Sequence, residues 1–355
     1  MPAISYAEMV LLRRLVGCIS TPGDEDEVMM LLDDVWRDTG WHTESVGRQA
    51  ILARSPEWVD GRPVMLVTAH ADSPGFIVSA INAAESEATL VTLGHPHLPE
   101  PDAWADLTIK TAFGLVESEL SGVQEFDREF RISLQPQIQR GDRAVYSPQF
   151  SGPESGLCLI HSPFLDDRIG CWVLATLPRC LAAIQSKANI VLAATASEEF
   201  GGFGAAALAH AAQANLIICL DATYDNPDQG VSMGQGPVLT LSDASVLIGH
   251  TVEEQLDKLC ASWNIPLQKE IYNFSGTDAR AFAMAGSTAI ILPLLIASQG
   301  NHSPQETVSM HDVCLLRDLL LKFAGDEEAI PRLLAANKFS RKDFIPFDAQ
   351  GNPQN

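Results

Sequence analysis

The chain has 355 residues, of which 46% are hydrophobic and 19% are charged, a composition typical of a folded globular protein rather than a disordered chain. Acidic residues number 45 against 23 basic ones, which gives a formal net charge of −22. Because a field of this sign repels phosphate backbones and anionic lipids, we expect neither nucleic acid nor a membrane surface as a partner.

The cysteines indicate a reducing compartment. There are seven of them, no two are spaced as CxxC, and most lie inside apolar runs. This pattern is typical of reduced, buried thiols rather than of a disulfide framework. The apolar run at residues 9–12 is followed at once by Arg13 and Arg14, so it is too short for the core of a signal peptide. We therefore expect a cytoplasmic protein.

The first 158 residues predict two helices and a buried strand, followed by a series of short β-type runs. Residues 5–19 and 25–39 have the apolar spacing of amphipathic helices, and residues 64–69 form a short apolar run that predicts a buried strand. From residue 74 to residue 158, short β-type runs alternate with Gly, Pro and Asp turn signals. We interpret this stretch as a small antiparallel β domain inserted into the chain.

After residue 158, strands and helices alternate. The strand-like runs are 190–195, 216–221, 238–241 and 288–295, and the helical candidates are 168–186, 202–214, 251–263, 277–285 and 310–324. Alternation of this kind predicts an α/β fold, with a mixed, mostly parallel sheet and helices on both faces. The main domain would then comprise residues 1–73 and 159–335, and residues 336–355 would form a polar C-terminal tail.

Polar side chains follow several of these strands at the point where each strand ends. Ligands bind beyond the carboxyl ends of strands in such sheets, and seven residues that can bind a metal or move a proton lie at those ends or in the adjoining motifs: His70, Asp72, Asp166, Glu198, Glu199, Asp221 and His302. Each one alone also has a structural explanation. For example, Asp166 could cap the next helix and Asp221 could form a turn.

Together, the seven side chains indicate a metal site. Imidazole and carboxylate ligands suit zinc, cobalt or manganese. One carboxylate has two oxygens and can bridge two ions about 3.5–4 Å apart. In the adjacent pair Glu198 and Glu199, one residue can bind metal while the other acts as a general base.

Six motifs then make a resemblance specific: AHAD (69–72), LDDRIG (165–170), SEEFGGFGA (197–205), CLDAT (219–223), SGTDA (275–279) and NHSPQE (301–306). In these motifs and in their order the chain resembles family forty-two of the metallopeptidases. This family comprises the glutamyl or deblocking aminopeptidases, includes the tetrahedral (TET) aminopeptidases, and has some members named endoglucanases. The β insertion also falls where that family carries its dimerisation domain.

The resemblance implies a zinc-peptidase-like fold that binds two divalent ions per chain, zinc or cobalt, with manganese as a further option. Asp166 would bridge the two ions, and the peptide bond after it would be cis. His70 and Asp221 would complete one metal site, and Glu199 and His302 the other.

The same resemblance assigns the remaining roles. Glu198 would be the general base, and Asp72 would orient His70 from behind. Thr277 and Asp278, which could equally be only the start of a helix, would line the substrate cleft. His95 and His97 have no such match; an H-x-H pair in a Pro-rich stretch favours a surface loop over a metal site.

The expected activity is removal of N-terminal residues from short peptides, with attack by a metal-activated water. The family habit further implies a homo-oligomer built from dimers, up to a dodecamer. An alternative with the same metals is a carboxypeptidase or an N-acyl amino acid deacylase, whose families usually place the extra domain after the glutamate pair. A third alternative, a catalytically silent assembly protein, predicts loss of a ligand or of the base, and all these residues are present.

Overall fold

The computed structural model describes residues 4–100, 103–121, 129–153, 158–244 and 246–339. Within these ranges the α-helices are α1 (Tyr6–Gly17), α2 (Asp26–Asp38), α3 (Leu165–Leu181), α4 (Phe203–Ala212), α5 (His250–Trp263), α6 (Ala279–Met284), α7 (Met310–Gly325) and α8 (Ala329–Ala336). Most of the expected C-terminal tail, residues 340–355, lies outside the described residues.

The strands divide between two sheets. The first contains β1 (His42–Val46), β2 (Ala50–Arg54), β3 (Val64–His70), β10 (Leu159–Ser162), β11 (Asn189–Thr195), β12 (Leu216–Tyr224), β13 (Val238–Asp243), β14 (Gln268–Tyr272), β15 (Ile290–Gln299) and β16 (Glu306–Ser309). The second contains β4 (Gly75–Asn82), β5 (Glu87–Leu93), β6 (Trp104–Thr111), β7 (Gly114–Ser121), β8 (Glu129–Ser133) and β9 (Arg143–Tyr146).

The first sheet has ten strands in a mixed arrangement. Its main path runs β1-β2-β11-β3-β12-β15-β13-β14, and β16 pairs with β15 and with β10. The central strands β11, β3, β12 and β15 are parallel to one another, so their carboxyl ends meet at one edge. These strands are buried on both faces, which explains why they read as nearly continuous apolar runs in the sequence.

Helices cover both faces of this sheet. Helices α1, α2, α3 and α7 enclose the larger apolar core, in which Trp36, Trp172 and Phe323 are among the largest buried side chains. Helices α4 and α6 cover the opposite face around Leu208 and Phe282. The α/β class with a mostly parallel sheet and helices on both faces is therefore confirmed.

The second sheet is antiparallel throughout and has the order β7-β6-β9-β4-β5-β8. It has its own apolar core, which includes Phe76, Leu107 and Tyr146. Ile19 and Phe164 from the segments around the first sheet also pack into this core. The chain thus enters the second sheet directly after β3 and returns to the first sheet at β10.

Several boundaries differ from the sequence-based expectations. Within α3 (Leu165–Leu181), Asp166 and Asp167 have non-helical φ and ψ angles, so the continuous helix starts after them, in agreement with the predicted start at 168, but it ends at Leu181 rather than at 186. Helix α8 is separated from α7 by only three residues and was not predicted. All seven cysteines are free thiols. In the described part of the chain, no helix combines the length and the apolar character needed to cross a membrane.

Candidate metal centre

The register of the central strands brings His70 and Asp221 together. Thr195, the last residue of β11, pairs with His70, the last residue of β3. On the other side of β3, Cys219 pairs with Thr68, so Asp221 lies beside His70 two residues further along. His70 Nε2 is 3.6 Å from Asp221 Oδ1. Two of the expected ligands are therefore neighbours because of strand pairing alone.

Asp166 stands between two groups of possible metal ligands. One of its carboxylate oxygens, Oδ1, is 3.1 Å from His70 Nε2, and the other, Oδ2, is 3.4 Å from His302 Nε2. His302 Nε2 is also 3.0 Å from Glu199 Oε1. The donor atoms of His70, Asp166 and Asp221 lie within 4.8 Å of one another, and so do those of Asp166, Glu199 and His302.

Both imidazoles present the same nitrogen to the carboxylates. His70 Nδ1 lies 3.0 Å from the backbone carbonyl of Asp72, and His302 Nδ1 lies 2.9 Å from the backbone carbonyl of His95. A carbonyl can only accept, so Nδ1 carries the proton in each ring. The Nε2 atoms are left to act as ligands, which is the arrangement that metal-binding histidines use.

The electrostatics of the site also suit cations. Burial raises the pKa of Asp221 to about 7, with the neighbouring Asp166 charge adding to the shift, and burial likewise raises the pKa of Glu198 well above its ordinary value. Burial alone would lower the pKa of His70, but hydrogen bonds to Asp166 and Asp221 raise it well above its ordinary value. Carboxylates crowded in a low-dielectric site are stabilised by adjacent positive charge. The donor set, its tautomers and its charge therefore fit two divalent ions.

The side chain of Asp72 binds the backbone of Glu198 and Glu199. The Asp72 carboxylate is completely buried; its Oδ1 accepts the Glu198 N–H at 3.1 Å and its Oδ2 accepts the Glu199 N–H at 3.1 Å. The distance from His70 Nδ1 to Asp72 Oδ1 is 3.7 Å, longer than the contact to the Asp72 carbonyl. In this structure the side chain of Asp72 therefore acts mainly on Glu198 and Glu199, and its backbone orients His70.

Two further buried groups support the same edge of the sheet. Glu25 Oε1 accepts hydrogen bonds from the backbone N–H and the hydroxyl of Ser197, both at 3.1 Å, and so fixes the residue before Glu198. The guanidinium of Arg168, with no exposed surface, donates to the backbone carbonyls of Ala71 and Asp72 at 2.8 and 3.3 Å.

The segment that contains Asp166 has an unusual backbone. The peptide bond between Asp166 and Asp167 is cis, as the resemblance implied. The backbone N–H of Asp166 donates to Glu306 Oε2 at 2.8 Å, and the backbone N–H of His302 donates to Glu306 Oε1 at 2.8 Å. Burial, followed by the negative charge of Asp166, raises the pKa of Glu306 to about 8.

Thr277 and Asp278 lie behind the site rather than at an open surface. They are 8% and 4% exposed, and the carboxylate of Asp278 forms a short hydrogen bond with the hydroxyl of Thr195. Burial raises the pKa of Asp278 to about 6. The expected contact of these two residues with substrate stays a prediction.

The loop of His95 and His97 contributes backbone rather than imidazole to the site. Besides the carbonyl of His95, the N–H of His97 donates to the carbonyl of His302 at 2.9 Å, and both side chains are exposed. The loop also lines a cleft beside His302, together with Tyr224 and Phe274. The sequence indicates none of this, nor the roles of Glu25 and Glu306, because each depends on contacts between residues far apart in the chain.

Comparison with known proteins identifies the family and the fold. The model of the M42 glutamyl aminopeptidase family matches residues 132–319. A candidate aminopeptidase of Acetivibrio thermocellus is 31% identical over 163 residues, which cover 43% of this chain and 48% of that protein; this alignment thus spans about half the length of the relative.

Solved structures match over nearly the whole chain. The TET aminopeptidase from the marine sediment archaeon Thaumarchaeota archaeon SCGC AB-539-E09 has a TM-score of 0.84 at 22% identity and covers 92% of this chain and 99% of its own. The Pyrococcus horikoshii TET1 peptidase, which can assemble into a tetrahedron or a large octahedral shell, has a TM-score of 0.76 at 20% identity, with 90% and 99% covered. At these identities the likeness establishes a common fold.

Proposed function

This chain belongs to the M42 glutamyl aminopeptidase family and is a peptidase, and we propose that it removes N-terminal residues from short peptides as an aminopeptidase with two divalent metal ions. The observation that carries the proposal is the pair of donor groups that share Asp166. His70 and Asp221 complete one group, and Glu199 and His302 complete the other. Zinc or cobalt suits these nitrogen and carboxylate donors, and manganese is a further option.

The side chains divide the work of hydrolysis. Ions bound at the two groups would supply Lewis acidity to the peptide carbonyl and would lower the pKa of a water molecule. Glu198 belongs to neither of the groups that share Asp166, although it forms a third group of possible ligands with His70 and Glu199. We assign Glu198 the role of general base rather than that of a ligand. It would take the proton of the attacking water on a carboxylate oxygen and pass it to the leaving amine.

Support for an aminopeptidase over the alternatives comes from the position of the second sheet. Its strands run from Gly75 to Tyr146, directly after β3 and well before Glu198 and Glu199. Carboxypeptidases and N-acyl amino acid deacylases of related families are expected to place their extra domain after the glutamate pair. The early insertion therefore favours the aminopeptidase.

The domain boundaries, the cellular location and the oligomeric state are also part of the proposal. We assign residues 1–73 and 159–335 to a catalytic domain, residues 74–158 to an inserted dimerisation-type domain, and residues 336–355 to a C-terminal tail. The free thiols support a cytoplasmic location. The likeness to TET peptidases supports a homo-oligomer based on dimers, with a dodecamer as its largest form.

The test compares one panel of short peptides with free and with acetylated N-termini. The purified protein is stripped with a chelator, assayed, and assayed again after Zn²⁺, Co²⁺ or Mn²⁺ is restored. Metal-dependent release of N-terminal residues that acetylation blocks is the expected result. Activity only on the acylated copies would move the assignment to a deacylase, and release from the C-terminus would move it to a carboxypeptidase. A protein that binds no metal and cleaves none of the peptides would refute the proposal.

A further inference from the structure

One buried carboxylate that the proposed reaction does not use joins the two halves of the centre. Glu306 is 2% exposed, and each of its oxygens accepts one backbone N–H: Oε2 that of Asp166 and Oε1 that of His302, both at 2.8 Å. Asp166 belongs to both donor groups, and His302 belongs to one. We propose that Glu306 is a positioning residue that fixes the spacing of Asp166 and His302 and thereby sets the affinity of the site for its ions. This inference rests on the proposed metal centre.

The local fold explains how Glu306 reaches both residues. Strand β16 pairs with β10, with Glu306 opposite Ser162, and also with β15. The loop between β15 and β16 is tight, since a Cβ added at Gly300 would come within 2.6 Å of the Gln305 carbonyl oxygen. This loop returns Glu306 to the His302 amide four residues back in the chain, while the pairing with β10 places it beside the segment that leads to Asp166.

A carboxylate suits this position because both partners are N–H donors. Both oxygens of a carboxyl group can accept a hydrogen bond, so Glu306 can accept from both amides at once. A glutamine of the same shape has one oxygen and one NH₂ group, and the NH₂ would face one of the two N–H groups. A Glu306→Gln change therefore removes one link between the ligands without changing the volume of the side chain.

Asp72 provides an independent parallel on the other side of the centre. Its two oxygens accept the backbone N–H groups of Glu198 and Glu199. Each of the two buried carboxylates thus holds a pair of backbone amides that belong to proposed ligands or to the proposed base. Partners of this kind orient metal ligands, and their loss typically weakens metal affinity or activity by about 10–100-fold.

The test measures metal binding directly. Metal-free wild-type protein and Glu306→Gln are titrated with Zn²⁺ and with Co²⁺, and the dissociation constants and the number of ions per chain are determined by calorimetry. We expect Glu306→Gln to bind at least one ion about 10–100-fold more weakly than wild type. The control is Glu270→Gln, the same change at a carboxylate that is 4% exposed. Its partners are the hydroxyls of Thr223 and Thr240, which can rotate to accept from an amide, so its metal affinity should equal that of wild type.

Melting temperatures measured with and without metal separate positioning from general destabilisation. A residue that only stabilises the fold lowers the metal-free melting temperature and leaves the rise on adding metal unchanged, whereas weaker metal binding reduces that rise. If Glu306→Gln is recovered unfolded, the same titration is made on Glu306→Asp. This shorter side chain keeps the carboxyl group but cannot span both amides, so this variant too should bind metal several-fold more weakly. Wild-type affinity in the folded variant would overturn the inference, whereas absence of metal binding in the wild type itself would refute the proposed function instead.

Discussion

The arrangement around Asp72 leads to a prediction about catalysis. In Asp72→Asn the side chain keeps its volume but has only one acceptor oxygen, so one of the N–H groups of Glu198 and Glu199 faces an NH₂ group instead of an oxygen. A hydrogen bond to a charged group contributes about 1.5–3 kcal/mol. If that amount is lost from the positioning of the base and its neighbour in the transition state, kcat/KM falls by about 10–150-fold.

The matched control for this prediction is Asp312→Asn. Asp312 is also completely buried, and its two oxygens accept the backbone N–H groups of Gly234 and Gly236 at 2.5 and 2.7 Å. The control therefore loses the same kind of hydrogen bond away from the proposed ligands. We expect similar losses of unfolding free energy in denaturant titrations of both variants, but a large decrease in kcat/KM only for Asp72→Asn. Equal kcat/KM values for the two variants would refute the reasoning.

Two further predictions concern stability. Burial alone would raise the pKa of Glu8, but hydrogen bonds from Ser5 and Arg317 lower it. The stabilisation by Glu8 is therefore present above its ordinary pKa of 4.5 and is lost as the pH falls through the lowered value. In denaturant titrations at several pH values, Glu8→Gln should be less stable than wild type at neutral pH, and the difference should shrink in acid; a difference independent of pH would contradict the assignment. In Gly204→Ala the new Cβ would lie 2.4 Å from two backbone atoms, Ala196 N and Gln49 O. We expect Gly204→Ala to lose about 1–3 kcal/mol of unfolding free energy or more. The control is Gly17→Ala, whose new Cβ meets nothing within 4 Å, so this variant should be neutral or slightly stabilised. Equal stability of the two alanine variants would show that the backbone moves to accommodate the methyl group.

The sequence predicts the position of the site better than its internal contacts. His70 and Asp221 follow apolar strands, and the rule that ligands bind beyond the carboxyl ends of parallel strands places them at one edge. The register between β3 and β12 then brings them side by side. Asp166 and His302 lie outside the parallel strands. Their positions in the chain grouped them with the other candidates, but only the resemblance in the six motifs assigned each of them a role as a metal ligand.

The supporting carboxylates could not be recognised in the same way. Glu25 lies among the acidic residues before α2 and looks in the sequence like a solvated helix start, yet it is 4% exposed and accepts from Ser197. Glu306 lies in a recognised motif, but its two partners are backbone amides, which leave no mark on the sequence. The resemblance assigned Asp72 to His70, and the Asp72 carboxylate lies 3.7 Å from His70 Nδ1. Its hydrogen bonds with the amides of Glu198 and Glu199 are not indicated by the sequence, for the same reason.

The most direct test of the account is the Glu198→Gln variant, with metal counted per chain and kcat measured on a short peptide with a free N-terminus. Glu198 lies outside both donor groups that share Asp166, although it forms a third group with His70 and Glu199. If it acts as the base and not as a ligand, the variant should keep about two ions per chain. Loss of a general base should lower kcat by about 10²–10⁴-fold. Wild-type kcat in a variant with its metals bound would show that another group takes the proton, and loss of an ion would show that Glu198 is a ligand rather than the base.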